Sequence, residues 1–175
     1  MGGSEVDKER VVRLLYQRRS QEMFGFARRL GLADEDASDA VQETMLRLWR
    51  ELDSGTNVAD PDAWAFRVLY RLAIDDHRLR GRIRQLADRL RAPRSAGESR
   101  LLDDDSAQRI EVDEVWRAVD RLPERQRAVL YLRFRADLPY KRIGLALSIS
   151  ASAARGHAST GLASLRRRLT QEDRP

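Results

Sequence analysis

The chain is expected to be all-α: two small helical domains joined by a flexible linker, the C-terminal one containing a helix-turn-helix. Three observations predict this. Ala, Leu, Arg and Glu dominate the 175 residues and no window alternates cleanly between apolar and polar, so strand signals are scarce. Charged residues are 35% of the chain and aromatics only 6%, which leaves an aliphatic, modest core suited to small helical units rather than one large sheet-based domain. Helical periodicity, finally, comes in two blocks separated by a stretch in which the pattern degrades.

The first block begins near Glu9, with Val11, Leu14 and Leu15 on one face and Phe24, Ala27 and Leu30 continuing it after Ser20. Gly31 then ends that helix. Asp34 and Asp36 supply an N-cap and first-turn acids for a second helix, whose stripe is Val41, Met45, Leu48 and Leu52. The segment Asp53–Asp62, with Gly55, Asn57 and Pro61, reads as a loop, and a third apolar-rich helix is expected from about Ala63 to Arg80. From Gly81 to about Arg109, arginines crowd, Pro93 and Gly97 interrupt, and Asp103, Asp104 and Asp105 follow; this is the linker.

The second block opens near Ile110 with a stripe of Val112, Val115, Val119 and Leu122. Pro123 is expected at a helix N1 position, ahead of Val129, Leu130 and Leu132 in a helix ending about Arg135. After a break at Ala136–Pro139, Tyr140, Ile143 and Leu147 make a short helix and Ser148–Ser150 a tight turn. Ala154, Ala158, Leu162 and Leu165 form the apolar face of the last helix. Two helices joined by three residues, the second capped by Ser150, match a helix-turn-helix pinned by Ile143, Ile149 and Ala154. Ala151, Ser152, Arg155 and His157 are then left for a major groove, the short side chains permitting close approach and Arg155 reaching a phosphate or a guanine edge.

Charge is polarised. Residues 1–60 hold 9 Lys and Arg against 12 Asp and Glu, whereas residues 114–170 hold 12 against 4, which suggests a C-terminal unit facing a polyanion. Cysteine is absent, excluding disulfides, thiolate metal sites and cysteine nucleophiles. The N-terminus lacks the apolar run of a signal peptide and no segment approaches the roughly 20 apolar residues of a membrane span. A cytoplasmic protein without membrane insertion is expected, with no metal and no cofactor. His157 reads as a polar face residue rather than a metal ligand, because the other histidine, His77, falls in the other domain.

The block Leu122-Pro123-Glu124-Arg125-Gln126-Arg127-Ala128-Val129-Leu130, followed by Tyr140 and Ile143, resembles the opening of the promoter-reading domain of extracytoplasmic-function (ECF) sigma factors, the specificity subunits of bacterial RNA polymerase. Asp39–Trp49 resembles that family's most recognisable helix, and Trp64–Arg78 the helix that engages the −10 element. The likeness spans roughly residues 8–80 and 112–168. It implies sigma region 2 over residues 5–80, a linker over 81–110 and region 4 over 111–170. It implies a non-catalytic subunit that binds core RNA polymerase, at the largest-subunit clamp and the flap of the second subunit. It further implies promoter DNA as a ligand and an anti-sigma factor as a regulator.

Carried over by position, Asp39, Gln42, Glu43, Leu46, Trp49 and Arg50 would bind core polymerase. An outward Trp and Leu among acids and Gln also read independently as an interface anchor, with a core position for Trp49 the alternative. Asn57 in the Ser54–Asp60 loop, with Trp64, Arg67, Arg71, Arg78 and Arg80, would read and melt the −10 element. Phe66 is expected in the core and Trp64 is left open between core and stacking platform. Arg133, Tyr140, Lys141, Ser152, Arg155 and His157 would hold the −35 element. The Asp103–Asp105 run would mimic nucleic-acid phosphate in a basic channel, or is simply a solvated acidic run.

The sequence departs from the family at Ser148, where Gly is usual, and at Ala151-Ser152-Ala153-Ala154, where Val-Gly-Thr-Val is usual. Thr160 and Leu162 replace basic residues, Gly156 and Gly161 weaken the last helix, and Arg71 stands where Asn is frequent. A weaker or differently aimed grip on the upstream element is expected. Two rivals are a stand-alone helix-turn-helix regulator, which leaves Asp39–Trp49 without a purpose, and an enzyme using Asp75 and Asp76, for which no phosphate loop, metal cluster or nucleophile–base spacing is present.

Overall fold

The computed structural model describes residues 3–90 and 107–172. Its regular structure there is α1 (Gly3–Arg29), α2 (Asp34–Asp53), α3 (Pro61–Leu90), α4 (Ala107–Asp120), α5 (Glu124–Phe134), α6 (Tyr140–Leu147) and α7 (Ala151–Glu172), with no strand among the described residues. The all-α class is as expected. The acidic run Asp103–Asp105 and most of the expected linker lie outside the described residues.

Several local signals act as read. Gly31, at φ 99°, ends α1: its N–H reaches the Arg28 carbonyl at 3.0 Å and the Leu32 N–H reaches Ala27 at 3.2 Å, the paired bonds of a Schellman cap. Ser150 caps α7, its Oγ accepting the Ala153 N–H at 3.0 Å.

Other boundaries move. The first helix starts at Gly3 rather than Glu9, and the third continues past Arg80 to Leu90. It also begins earlier than Ala63, because Pro61 fits the first helical position and the Asp60 carboxylate accepts the Ala63 N–H at 3.0 Å. The N-cap of α2 is Ala33, leaving Asp34, Glu35 and Asp36 to the first turn, where they suit the positive end of the helix. Pro123 occupies the N-cap of α5 rather than N1.

The core faces are also rotated at four places. Leu14, Phe24, Val115 and Leu162 point outward, while Leu15, Met23, Phe26, Ala27 and Leu30 carry α1 into the core. On α7 the residue facing α5 is Gly161, where an added Cβ would lie 3.0 Å from Leu130 Cδ1. That glycine therefore lets two helices approach, whereas Gly156 faces open space. Tertiary contact outweighs the helix propensity lost at Gly161.

The buried residues of both blocks form one continuous cluster. Helix α3 packs on α6 and α1 on α5, so the two sequence units fold against each other. Tyr131 of α5 stacks tilted on Phe26 of α1 at 5.6 Å and edge-on to Trp116 at 5.8 Å. Burial pushes its hydroxyl up to about 12 despite the lowering influence of Arg135 and Arg29. Arg29 pairs with Asp120, donates to the Trp116 carbonyl at 3.1 Å and lies 5.2 Å from the centre of that indole. Arg19 donates to the Ala136 carbonyl at 3.0 Å.

The turn between α6 and α7 places Ser148 in the left-handed region, at φ 54° and ψ 47°. A side chain there costs roughly 1–2 kcal/mol that glycine escapes. Ser148→Gly is therefore expected to stabilise the protein by about 0.5–1 kcal/mol in a urea melt. A loss of stability would show that the serine is held by something other than its backbone.

Candidate functional site

Three surfaces gather the residues singled out from the sequence. The first lies on α1 and α2. The buried stripe Ala37, Ala40, Val41, Thr44, Met45 and Leu48 turns the opposite side of α2 outward. Leu46 is 52% and Trp49 41% exposed, which settles Trp49 as a surface residue. Asp39, Gln42 and Arg50 are exposed beside them, and Glu43 is held by Arg47 at 2.7 Å. Leu46 and Trp49 form one wall of an apolar groove of about 510 Å³. Its other wall is Val12, Tyr16, Glu9 and Arg13 of α1, which the sequence reading missed. The signal was available: Tyr16 is a large side chain outside the buried face.

The second surface is the 54–60 loop with α3. Phe66 is fully buried, edge-on to Phe26 at 5.6 Å, so it is core. Trp64 is half-buried and lines a cavity of about 290 Å³ with Thr56, Asn57, Val58, Ala59 and Arg67. Arg67 also borders a second cleft of about 350 Å³, with Tyr70, Arg71, Asp75, Arg78 and Glu124. Arg67 and Arg71 run past the Trp64 pocket toward Arg78, which Asp75 approaches at 3.8 Å, so the track is mainly but not wholly cationic. Arg80 does not join them: Asp36 and Asp76, the latter at 2.8 Å, bind its guanidinium and raise its pKa further.

The origin of that second surface is held by acids that the sequence reading passed over. Asp62 is buried and receives Arg18 and Arg19, each at 2.8 Å. Asp60 caps α3 and also pairs with Arg142 of α6 at 2.8 Å. Tyr70 donates to Glu124 at 2.6 Å, and burial, that bond and the Glu124 charge all raise its pKa.

The third surface is the helix-turn-helix. Ile143 and Ala154 are fully buried and Ile149 half-buried, which pins α6 against α7. Arg155 and Arg133 both settle on Tyr140, with their guanidinium carbons 5.7 and 5.6 Å from the ring centre. Such stacking orients two cations on one edge without neutralising them. Arg133 also approaches Asp137 at 3.3 Å. Ser152 and Lys141 are exposed, whereas His157 is half-buried. No group of three His, Cys, Asp or Glu side chains that could hold a metal occurs among the described residues, and no described helix is long and apolar enough to cross a membrane.

An α-helical pair of domains, one ending in a helix-turn-helix with stacked arginines, defines a DNA-binding protein class that comparison makes specific. Residues 15–83 match the family described as Sigma-70 region 2, and residues 118–167 match Sigma-70, region 4. The chain is 27% identical over 139 residues to the RNA polymerase sigma factor SigV of Bacillus subtilis, covering 79% of each. It is 30% identical over 158 residues to the ECF RNA polymerase sigma factor SigE of Mycolicibacterium smegmatis, covering 87% of this chain and 59% of that longer protein. Two solved structures share the fold at 22% identity. CnrH in complex with the cytosolic domain of CnrY superposes with a TM-score of 0.65, over 98% of this chain and 94% of that one. The sigma factor RpoE with the anti-sigma factor NepR, from Bartonella quintana, gives 0.67 over 93% and 97%. The chain belongs to the sigma-70 family, as a sigma factor of the ECF type.

Proposed function

We propose that this chain, itself non-catalytic, assembles with core RNA polymerase and directs it to promoters through three separate surfaces. The observation that carries the reading is the exposed Leu46 and Trp49 beside an apolar groove, within the segment that matches region 2. An outward Trp and Leu cost solubility unless a partner covers them, and aromatic anchors of this kind dominate protein interfaces. Gln42, Glu43, Asp39 and Arg50 would form the polar rim against the polymerase clamp.

The aromatic pocket and arginine track suit a single strand with one extruded base. Asn57 would read a base edge, Trp64 would stack on it, and Arg67, Arg71 and Arg78 would follow the phosphates. In the Trp64–Arg80 set, Arg80 serves the fold instead, holding α2 to α3. Arg133, Lys141, Ser152 and Arg155 would lie on the −35 duplex, oriented by Tyr140, with the second-subunit flap beside this domain. The short Ala and Ser side chains at the start of α7 offer few contacts, which favours a weak upstream grip. An anti-sigma partner is supported by the likeness to the sigma factor RpoE, solved in complex with the anti-sigma factor NepR.

The test is transcription in vitro with core polymerase, this protein and a library of promoter fragments. Promoter-dependent transcripts are expected only when all three are present, and their absence from every fragment would sink the reading. On a responding promoter, Arg155→Ala is expected to lower affinity and reduce the slope of log affinity against log salt by about 0.9, as for one lost phosphate contact. An unchanged slope would remove Arg155 from the DNA interface.

A further inference from the structure

Two arginines of α3 meet no acid, and they open onto a cleft that neither domain forms alone. Arg67, Arg71 and Arg78 stand on one face of α3, at steps of four and seven residues. They line one wall of the 350 Å³ cleft, and Arg125 lines the other beside Ser148. Asp75 approaches Arg78 at 3.8 Å, and Arg125 is turned toward the Leu147 carbonyl at 2.9 Å and the Tyr70 ring at 5.6 Å. Arg67 and Arg71, about 6 Å apart along the helix axis, have no ion pair or hydrogen bond among the described residues. Four arginines thus face two carboxylates, Asp75 and Glu124, around this space. Its floor is apolar, with Ile74 half-buried and Leu147 buried. Sites for small molecules span about 300–1,000 Å³ and favour domain interfaces, so both size and place suit one.

A second, independent observation lies on the opposite wall. Ser148 holds the left-handed conformation, φ 54° and ψ 47°, which glycine would adopt without cost. It is exposed at the cleft, and its hydroxyl has no hydrogen-bond partner among the described residues. A strained side chain that stabilises nothing in its own turn points to a ligand. We propose that this cleft binds a free nucleotide, with its phosphate chain between Arg67, Arg71 and the Ser148 hydroxyl and its ring on Ile74 and Leu147. One Glu124 oxygen accepts the Tyr70 hydroxyl at 2.6 Å, and the other is left for a ribose hydroxyl or a base N–H. Arg67 and Arg71 are shared with the surface assigned to DNA phosphates, but Ser148 and Glu124 belong to the nucleotide site alone, so it stands without that reading.

Isothermal titration of the full chain with ATP and with GTP tests this, with adenosine and sodium tripolyphosphate as the two halves of the ligand. At least one nucleotide is expected to bind one to one and to raise the melting temperature. Adenosine and tripolyphosphate should each bind about tenfold more weakly or worse, since each lacks the contacts of the other half. Tripolyphosphate binding as tightly as both nucleotides overturns the proposal, leaving only attraction between a basic surface and a polyanion. Failure of both nucleotides to bind one to one overturns it as well.

Ser148→Gly separates a ligand contact from a structural one. Release of the left-handed strain should stabilise the chain, while nucleotide affinity falls about tenfold, as for one lost charge-assisted hydrogen bond. Unchanged affinity in this more stable variant overturns the proposal. Arg71→Gln, at an exposed position, should also cost about tenfold. Arg166→Gln removes the same charge from an exposed site far along α7 and should leave binding unchanged. Equal losses in the two arginine variants reduce the effect to net charge and overturn the site. Circular dichroism checks that each variant is folded. These measurements contain neither DNA nor polymerase, so their failure is distinct from failure of the transcription test.

Discussion

Leu46→Asp combined with Trp49→Ala is expected to abolish association with core RNA polymerase. The two side chains stand half out of the protein beside the α1–α2 groove, so no cavity opens when they are cut back. A central Trp anchor carries about 2 kcal/mol or more, and a carboxylate driven into an apolar contact costs a similar amount. Together they lower affinity by roughly 4 kcal/mol, about a thousandfold. Tyr16→Ala, on the α1 wall, should show a smaller loss, because the partner would span both walls. Co-purification with core polymerase and a thermal melt give the answer: retained co-purification of the double variant would remove this surface from the interface, and a lowered melt would place Trp49 in the fold.

Gly144→Ala is expected to break the helix-turn-helix. A Cβ at Gly144 would lie 2.7 Å from the Ile149 carbonyl oxygen and 3.2 Å from the Ala151 backbone nitrogen. Both are backbone atoms of the turn, and the Ile149 N–H is itself bonded to the Gly144 carbonyl at 2.9 Å, so the clash cannot be relieved by rotating a side chain. The loss should reach about 3 kcal/mol, at the upper end for overpacking, and −35 binding should go with it. Gly156→Ala is the control. It faces open space on the same domain, and should stabilise by up to about 1 kcal/mol through helix propensity. Equal effects of the two substitutions in a urea melt would contradict the close approach of α6 to α7.

Much of the architecture was legible because it is local. The Schellman cap at Gly31, the Ser150 cap and the buried stripe of α2 each depend on residues within one or two turns, where chirality and hydrogen-bond geometry act without help from the rest of the fold. Leu14, Phe24, Val115 and Leu162 were misread for the opposite reason. A helical stripe shows which residues share a face, but the neighbour's position decides which part of a broad apolar face is covered. Gly161 reads as a weak point in the sequence and serves instead as the place where α5 comes close.

The candidate site divides the same way. Residue types and spacing brought out Trp49 and Arg155, an aromatic among polar groups and a cation at the start of a helix, whereas Asn57 and Arg67 came from the resemblance to the family. Val12, Tyr16, Asp60 and Leu145 were not legible, because each takes its role from a residue distant in the chain. Arg80, expected with the other arginines of α3 at the −10 element, pairs with Asp36 and Asp76, which only the fold brings beside it.

By itself the sequence determined that this is an all-helical protein with a helix-turn-helix, since periodicity, caps and turn residues act over a few positions. Only the tertiary structure decided that the two domains close on each other, that Leu145 meets the pocket of Asn57 and Trp64, and that Arg19 reaches the Ala136 carbonyl across 117 positions of sequence. Burial and ion pairing between distant segments depend on where the chain returns in space, which no local pattern encodes.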